Sequence, residues 1–188
     1  MKPTDFAKRL KNFLGDYLPA QKNVSPNTIK AYLDAFTLLL RYCRDHLMFS
    51  PEKVTLDTLN VPLILNFLNY LETESGCSTR TRNHRLSVMH AFFRYLQTEE
   101  PAHIAQCQQI LAIPLKRCSR PLVNYLTTEE LAKILAKPNM TTTWGRRDAL
   151  LLSLLYDTGA RVQELVDLSV RDVRLDTPAQ VRLTPKQA

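Results

Sequence analysis

Through the first hundred residues, apolar side chains recur every three or four positions, and most such runs begin at a residue able to cap a helix. No other feature restricts the fold as tightly. Phe6, Leu10, Phe13, Leu14 and Tyr17 share one face of a first helix, expected to end near Pro19. In SPNT, Ser25 can accept from the exposed first-turn amides, and Pro26 takes the first helical position, where a missing N–H costs nothing. Ile29, Leu33, Phe36, Leu40, Cys43 and Leu47 form the expected buried stripe of this second helix, which puts Lys30, Thr37 and Arg41 on the other side. Asn60 caps a third helix with Ile64, Phe67, Leu68 and Leu71 inward and Gly76 as its stop. Ser78 opens a fourth, with Leu86, Met89, Phe93 and Leu96 inward and Arg80, His84, Ser87 and Arg94 clustered on the far side. Four amphipathic helices on short connections predict a helical domain over residues 1–112.

Residues 101–125 change character. They hold three prolines and the cations Lys116, Arg117 and Arg120, with no acidic residue. This predicts a short helical piece followed by an extended basic linker over residues 113–125, where limited proteolysis should cut first. A second unit follows over residues 126–188. Thr127 and Glu130 are spaced as a capping box, helices are expected near 145–157 and 161–168, and DVRL and QVRL suggest a β-hairpin. The chain is therefore mainly α with a small β element.

The formal net charge of +7 favours a polyanionic partner without identifying one. Cys43, Cys77, Cys107 and Cys118 show no CxxC pair, and His84 and His90, six residues apart, do not share a helix face, so no metal is expected. Four glycines in 188 residues leave no phosphate-cradling loop. No apolar run approaches the ~18 residues of a membrane span, which points to a cytoplasmic protein. Trp144 reads as a packing residue, and Tyr156 as part of a buried apolar helix.

Basic side chains on outer helix faces are usually only solvated. The fourth helix is the better candidate for a nucleic-acid surface. Arg80, Arg82 and Arg85 crowd its N-terminal end, where the helix dipole already disfavours cations and an acidic partner would relieve the conflict. A helix presenting Arg, His and Ser to one side also suits a DNA major groove. The segment YDTGARVQEL raises a separate question. Gly159 can end the apolar helix in a left-handed conformation, leaving Arg161 at the start of the next helix with Glu164 three residues on. A guanidinium held this way is preorganised for a phosphate, although a purely structural Arg–Glu pair has the same signature.

TGARVQEL, preceded by ALLLSLLYD and followed by VDLSVRDV, resembles the first arginine motif of the tyrosine recombinases, the phage integrase and Xer-type group. SPNTIKAY, RLSVMHAFFRYL and LTTEELAKIL resemble further stretches of that family. The resemblance implies a four-helix SAM-like core-binding domain plus the N-terminal part of a mixed α/β catalytic domain. It implies double-stranded DNA as partner, enclosed by a C-shaped clamp, with family members assembling as a tetramer on two DNA sites. It implies DNA integration and site-specific recombination through a 3′-phosphotyrosyl intermediate, with no metal or nucleotide cofactor. By position, Arg161 would grip the scissile phosphate and Glu164 would hold it. Lys186, 25 residues after Arg161, falls where the family's catalytic lysine lies, but Pro185 and Gln187 replace its flanking glycines. The family's later groups find no match. The last histidine is His103, and the last tyrosine is Tyr156. The expectation is thus a C-terminally truncated recombinase that binds DNA without cleaving it, through Lys30, Arg41, Arg80, His84, Ser87 and Arg94. Other readings are a non-catalytic helical DNA-binding module and a helical protein-interaction domain.

Overall fold

Four of the expected caps form. Ser25, Asn60, Ser78 and Thr127 each accept a backbone N–H from the first turn of the helix they open, at 3.0–3.3 Å. The structure is a computed structural model that describes residues 2–119 and 124–184. The chain divides into two units, Met1–Arg120 and Pro121–Ala188. The first contains α1 (Asp5–Asn12), a π-helical continuation (Phe13–Gln21), α2 (Pro26–His46), α3 (Val61–Thr73), α4 (Thr79–Glu99) and α5 (Ile104–Leu111). The second contains α6 (Thr128–Leu135), α7 (Thr143–Thr158), α8 (Val162–Val166) and an antiparallel hairpin, β1 (Val173–Arg174) with β2 (Gln180–Val181). The fold is mainly α.

The first helix does not stop at Pro19. Its turns widen instead, and the Lys22 N–H reaches back to the Tyr17 carbonyl at 3.0 Å. A proline lacks the N–H of an ordinary turn, and the wider spacing carries the chain past it. Leu18 is thereby brought into the core beside Phe6 and Phe13.

The core of the first unit is aromatic at its centre. Phe92 on α4 lies 5.9 Å from Phe6, 5.3 Å from Phe13, 5.1 Å from Phe36 and 5.7 Å from Phe93, ring centre to ring centre. All of these pairs are steeply inclined, the arrangement that sets the positive edge of one ring against the negative face of another. The stripe of α2 differs from expectation. Ala35, Phe36, Leu39, Tyr42 and Cys43 are buried, while Leu33 and Leu47 are exposed. At 100° per residue the buried face is turned by about 80° from the predicted one.

His90 is buried in α4 and bonded through Nε2 to the Ile110 carbonyl at 3.1 Å, tying α5 to α4. Burial, the largest influence, pushes its imidazole below the ordinary value. The unfolded chain then binds the proton more readily than the folded one, so stability is complete above the unfolded pKa of about 6.5 and falls as pH drops below it. Urea midpoints measured at pH 7.5 and 5.5 should decline with acid, and the decline should flatten in His90→Gln. An unchanged slope in that variant would rule His90 out as the cause.

Residues 113–118 have no regular structure, yet they run along the bundle. Ile113 is buried. The Asn83 side-chain amide brackets Lys116, donating to its carbonyl at 2.7 Å and accepting its N–H at 3.0 Å. The Lys116 ammonium pairs with Glu72 on α3.

The second unit is thinly packed. Leu165 is its one buried hydrophobic side chain among the described residues, whereas Trp144, Leu150, Tyr156, Val162, Val166 and Leu175 are exposed. This corrects two expectations. Trp144 packs no core and instead lies beneath the Arg147 guanidinium, 4.4 Å from it, and Tyr156 is 59% exposed. Gly145 is the tight point of this unit. A Cβ added there would stand 1.9 Å from the Asn139 carbonyl oxygen, in the turn whose Thr142 caps α7. Gly→Ala inside a helix normally stabilises by up to about 1 kcal/mol. Here the backbone clash should reverse the sign and cost roughly 1–3 kcal/mol. Faster amide exchange at the start of α7 in Gly145→Ala would show it, and slower exchange would refute it.

Candidate nucleic-acid interface

The side of α2 opposite its core face presents Lys30, Asp34 and Arg41, all exposed. On α4, Arg80, Ser87 and Arg94 follow one another at seven-residue spacing, two turns apart, with His84 beside them, and all four are exposed. The structure therefore places all six expected contact residues on outer faces of these two helices. Among the described residues, none of Lys30, Arg41, Arg80 and Arg94 forms an ion pair, whereas Arg9, Arg44, Lys116, Arg147 and Arg161 each do. These four charges are not neutralised by a carboxylate within the described residues, so their full charge is available to a phosphate.

Arg82 and Arg85 behave otherwise. Arg82 is buried and donates to the Asn83 side chain at 3.1 Å and to the Pro114 carbonyl at 3.4 Å. Arg82 thus points into the protein, where it bonds to neutral acceptors, and takes no part in the outer face. Arg85 is half-buried and donates to the Ala31 carbonyl of α2 at 3.1 Å. With Arg41, Asp34 and Thr37 it lines a shallow cleft of about 270 Å3 between α2 and α4. Sequence pattern missed this cleft because the angle of Arg85 on α4 points toward the core, and only the packing of α2 shows where its end emerges.

In the second unit, Gly159 ends α7 with φ of +62°, a conformation in which a side chain is strained, and donates to the Leu155 carbonyl at 3.0 Å. The chain then turns so that Arg161 immediately precedes α8. Glu164 holds it at two points, accepting from the Arg161 backbone N–H at 2.9 Å and from its guanidinium at 2.9 Å. The arginine side chain is 82% exposed and the glutamate 12%. One guanidinium edge is fixed and the rest faces outward, able to meet a phosphate. The Arg161 N–H, more than the guanidinium, holds the Glu164 carboxyl below the usual carboxylate range. The clasp is therefore complete above the ordinary glutamate pKa and opens as pH falls through the lowered one. Lys186 lies outside the described residues. Among the described residues no cluster of three or more metal-ligating side chains occurs, and no helix is long and apolar enough to cross a membrane.

The model of the phage integrase N-terminal SAM-like domain matches residues 10–100, which include α2, α3 and α4. A Sinorhizobium fredii protein named as an integrase/recombinase is 40% identical over 98% of this chain and 56% of its own length. A second protein of that organism, named in the same way, is 34% identical over 90% of the chain and 60% of its own length. Tyrosine recombinase XerC of Oceanobacillus iheyensis is 30% identical over 84% of the chain and 49% of its own length. The chain belongs to the tyrosine recombinase family. It spans about half the length of the curated relatives it matches.

Proposed function

We propose that this chain binds double-stranded DNA as part of a site-specific recombinase of the tyrosine type. In this reading residues 1–112 are the core-binding domain, 113–125 the linker and 126–188 the N-terminal part of the catalytic domain. The outer faces of α2 and α4 meet the duplex through Lys30, Arg41, Arg80, His84, Ser87 and Arg94. What carries the reading is the clasp on Arg161, a fixed carboxylate behind a guanidinium that is left outward.

The chemistry assigned to that clasp is phosphoryl transfer. A tyrosine oxygen attacks the phosphorus, the bond to the 5′-oxygen breaks, and that oxygen leaves as a hydroxyl while the 3′-phosphate stays on the tyrosine. Charge on the non-bridging oxygens grows along this path, and Arg161 offers two donors to it while Glu164 keeps the fork in place. Lys186 takes the position of the family's lysine. Residues 162–188 contain no tyrosine, so a polypeptide of these 188 residues tested by itself should bind DNA without cleaving it. Assembly as a tetramer on two DNA sites follows from the same family reading.

Two experiments test this. Arg80→Ala should weaken duplex binding about fivefold or more, while Lys53→Ala, an equal charge change outside the assigned faces of α2 and α4, should not. Equal effects would remove the assigned face. On nicked suicide DNA, the chain supplemented with the C-terminal segment of a full-length relative should form a covalent adduct that Arg161→Ala reduces by about 100-fold or more. An adduct indifferent to Arg161, or one formed by the chain alone, would overturn the assignment.

A further inference from the structure

At one end of the α2–α4 face the surface changes from charged to aromatic. The π-helical stretch Phe13–Gln21, the beginning of α2 and the second half of α4 enclose a cavity of about 330 Å3, lined by Phe13, Tyr17, Tyr32, Ala91, Lys22 and Arg94. Its rings are fixed from behind. Phe13 is fully buried against Phe92 and Tyr95, with Tyr17 stacked on it at 5.8 Å and 21° and Tyr32 at 5.9 Å. Tyr17 and Tyr32 are half-buried. The Lys22 ammonium lies 5.9 Å from the centre of the Tyr17 ring. Burial raises the Tyr32 phenol above its ordinary pKa, and the nearby Arg94 charge offsets part of that rise. Neither Lys22 nor Arg94 forms an ion pair among the described residues.

Preset aromatic faces beside two unpaired cations are the combination that binds single-stranded nucleic acid, with bases on the rings and phosphates on the cations. A paired, stacked duplex offers the cations but no free base face. The volume falls at the low end of small-ligand sites, about 300–1,000 Å3, which suits one base and is cramped for a peptide segment. Ala91 and Arg94 also lie on the same side of α4 as Arg80 and Ser87, so a strand tracking that face reaches the cavity at its end. We infer that this cavity receives one unpaired nucleotide of a DNA strand, its base against Tyr17 and Tyr32 and its phosphate toward Lys22 and Arg94. The inference rests on the proposed DNA-binding reading and adds the form of DNA recognised, a duplex with an unpaired nucleotide at its edge.

The test uses the full chain and two fluorescein-labelled hairpin duplexes that differ only in a four-nucleotide overhang, thymidine in one and abasic in the other, with equal charge. The thymidine overhang should bind about fivefold or more tightly than the abasic one, the lower end of what base–aromatic stacking contributes. Tyr17→Ala should erase that ratio, Tyr17→Phe should keep it, and Lys22→Ala should weaken both probes alike. Equal affinity of the unsubstituted chain for the two overhangs would overturn the inference while leaving duplex binding intact. Failure to bind either hairpin would overturn the DNA-binding reading itself. Because the ratio is read first on the unsubstituted chain, a variant that fails to fold does not blunt the test.

Discussion

Phe92→Ala is expected to remove about 3–5 kcal/mol from the stability of the first unit, enough to unfold a large share of a domain whose total lies near 5–15 kcal/mol. The ring is fully buried and meets Phe6 and Phe13 from the first helical segment, Phe36 from α2 and Phe93 from its own helix. Its loss leaves a void where three segments converge, and no neighbour can fill it without pulling away from another ring. Phe92→Leu should cost much less. Urea unfolding followed by circular dichroism measures both, and a loss under about 1 kcal/mol for alanine would mean that the cluster can collapse.

The second large effect concerns salt. With Lys30, Arg41, Arg80 and Arg94 each neutralising one phosphate, log affinity should fall with log salt at a slope of about −0.9 per contact. Four contacts make a rise from about 50 to about 200 mM salt cost roughly two orders of magnitude in affinity. Arg80→Ala combined with Arg94→Ala should make the slope shallower by about two units. Binding that ignores salt would point to a protein partner for this surface, as a helical interaction domain would have.

Helix starts were legible in the sequence because they are local. Ser25, Asn60, Ser78 and Thr127 need only the amides of the next turn, and the chain spells out both. The buried face of α2 was not legible in the same way. Leu38, Leu39 and Leu40 put an apolar residue on nearly every side of the helix, so the angle is decided by the rings of neighbouring segments. The fate of Arg82 depends on the Pro114 carbonyl, 32 residues away, which no local pattern anticipates. The Arg161–Glu164 clasp was legible because a left-handed glycine and an i, i+3 pair are both short-range. The aromatic cavity was not, since it needs the π-helical passage through Pro19 to bring Tyr17 opposite Tyr32.

The sparse interior of the second unit has a bearing on how the protein would look in a calorimeter. Heat capacity change and denaturant sensitivity both scale with the apolar surface exposed on unfolding. Among the described residues, the buried apolar side chains belong to the first unit except for Leu165, and the second adds half-buried leucines of α6 and α7. A melting curve would therefore report mainly the helical bundle. Damage to the Arg161 clasp would leave the transition where it was, and an intact melt could accompany a chain whose phosphate-facing arginine had lost its orientation.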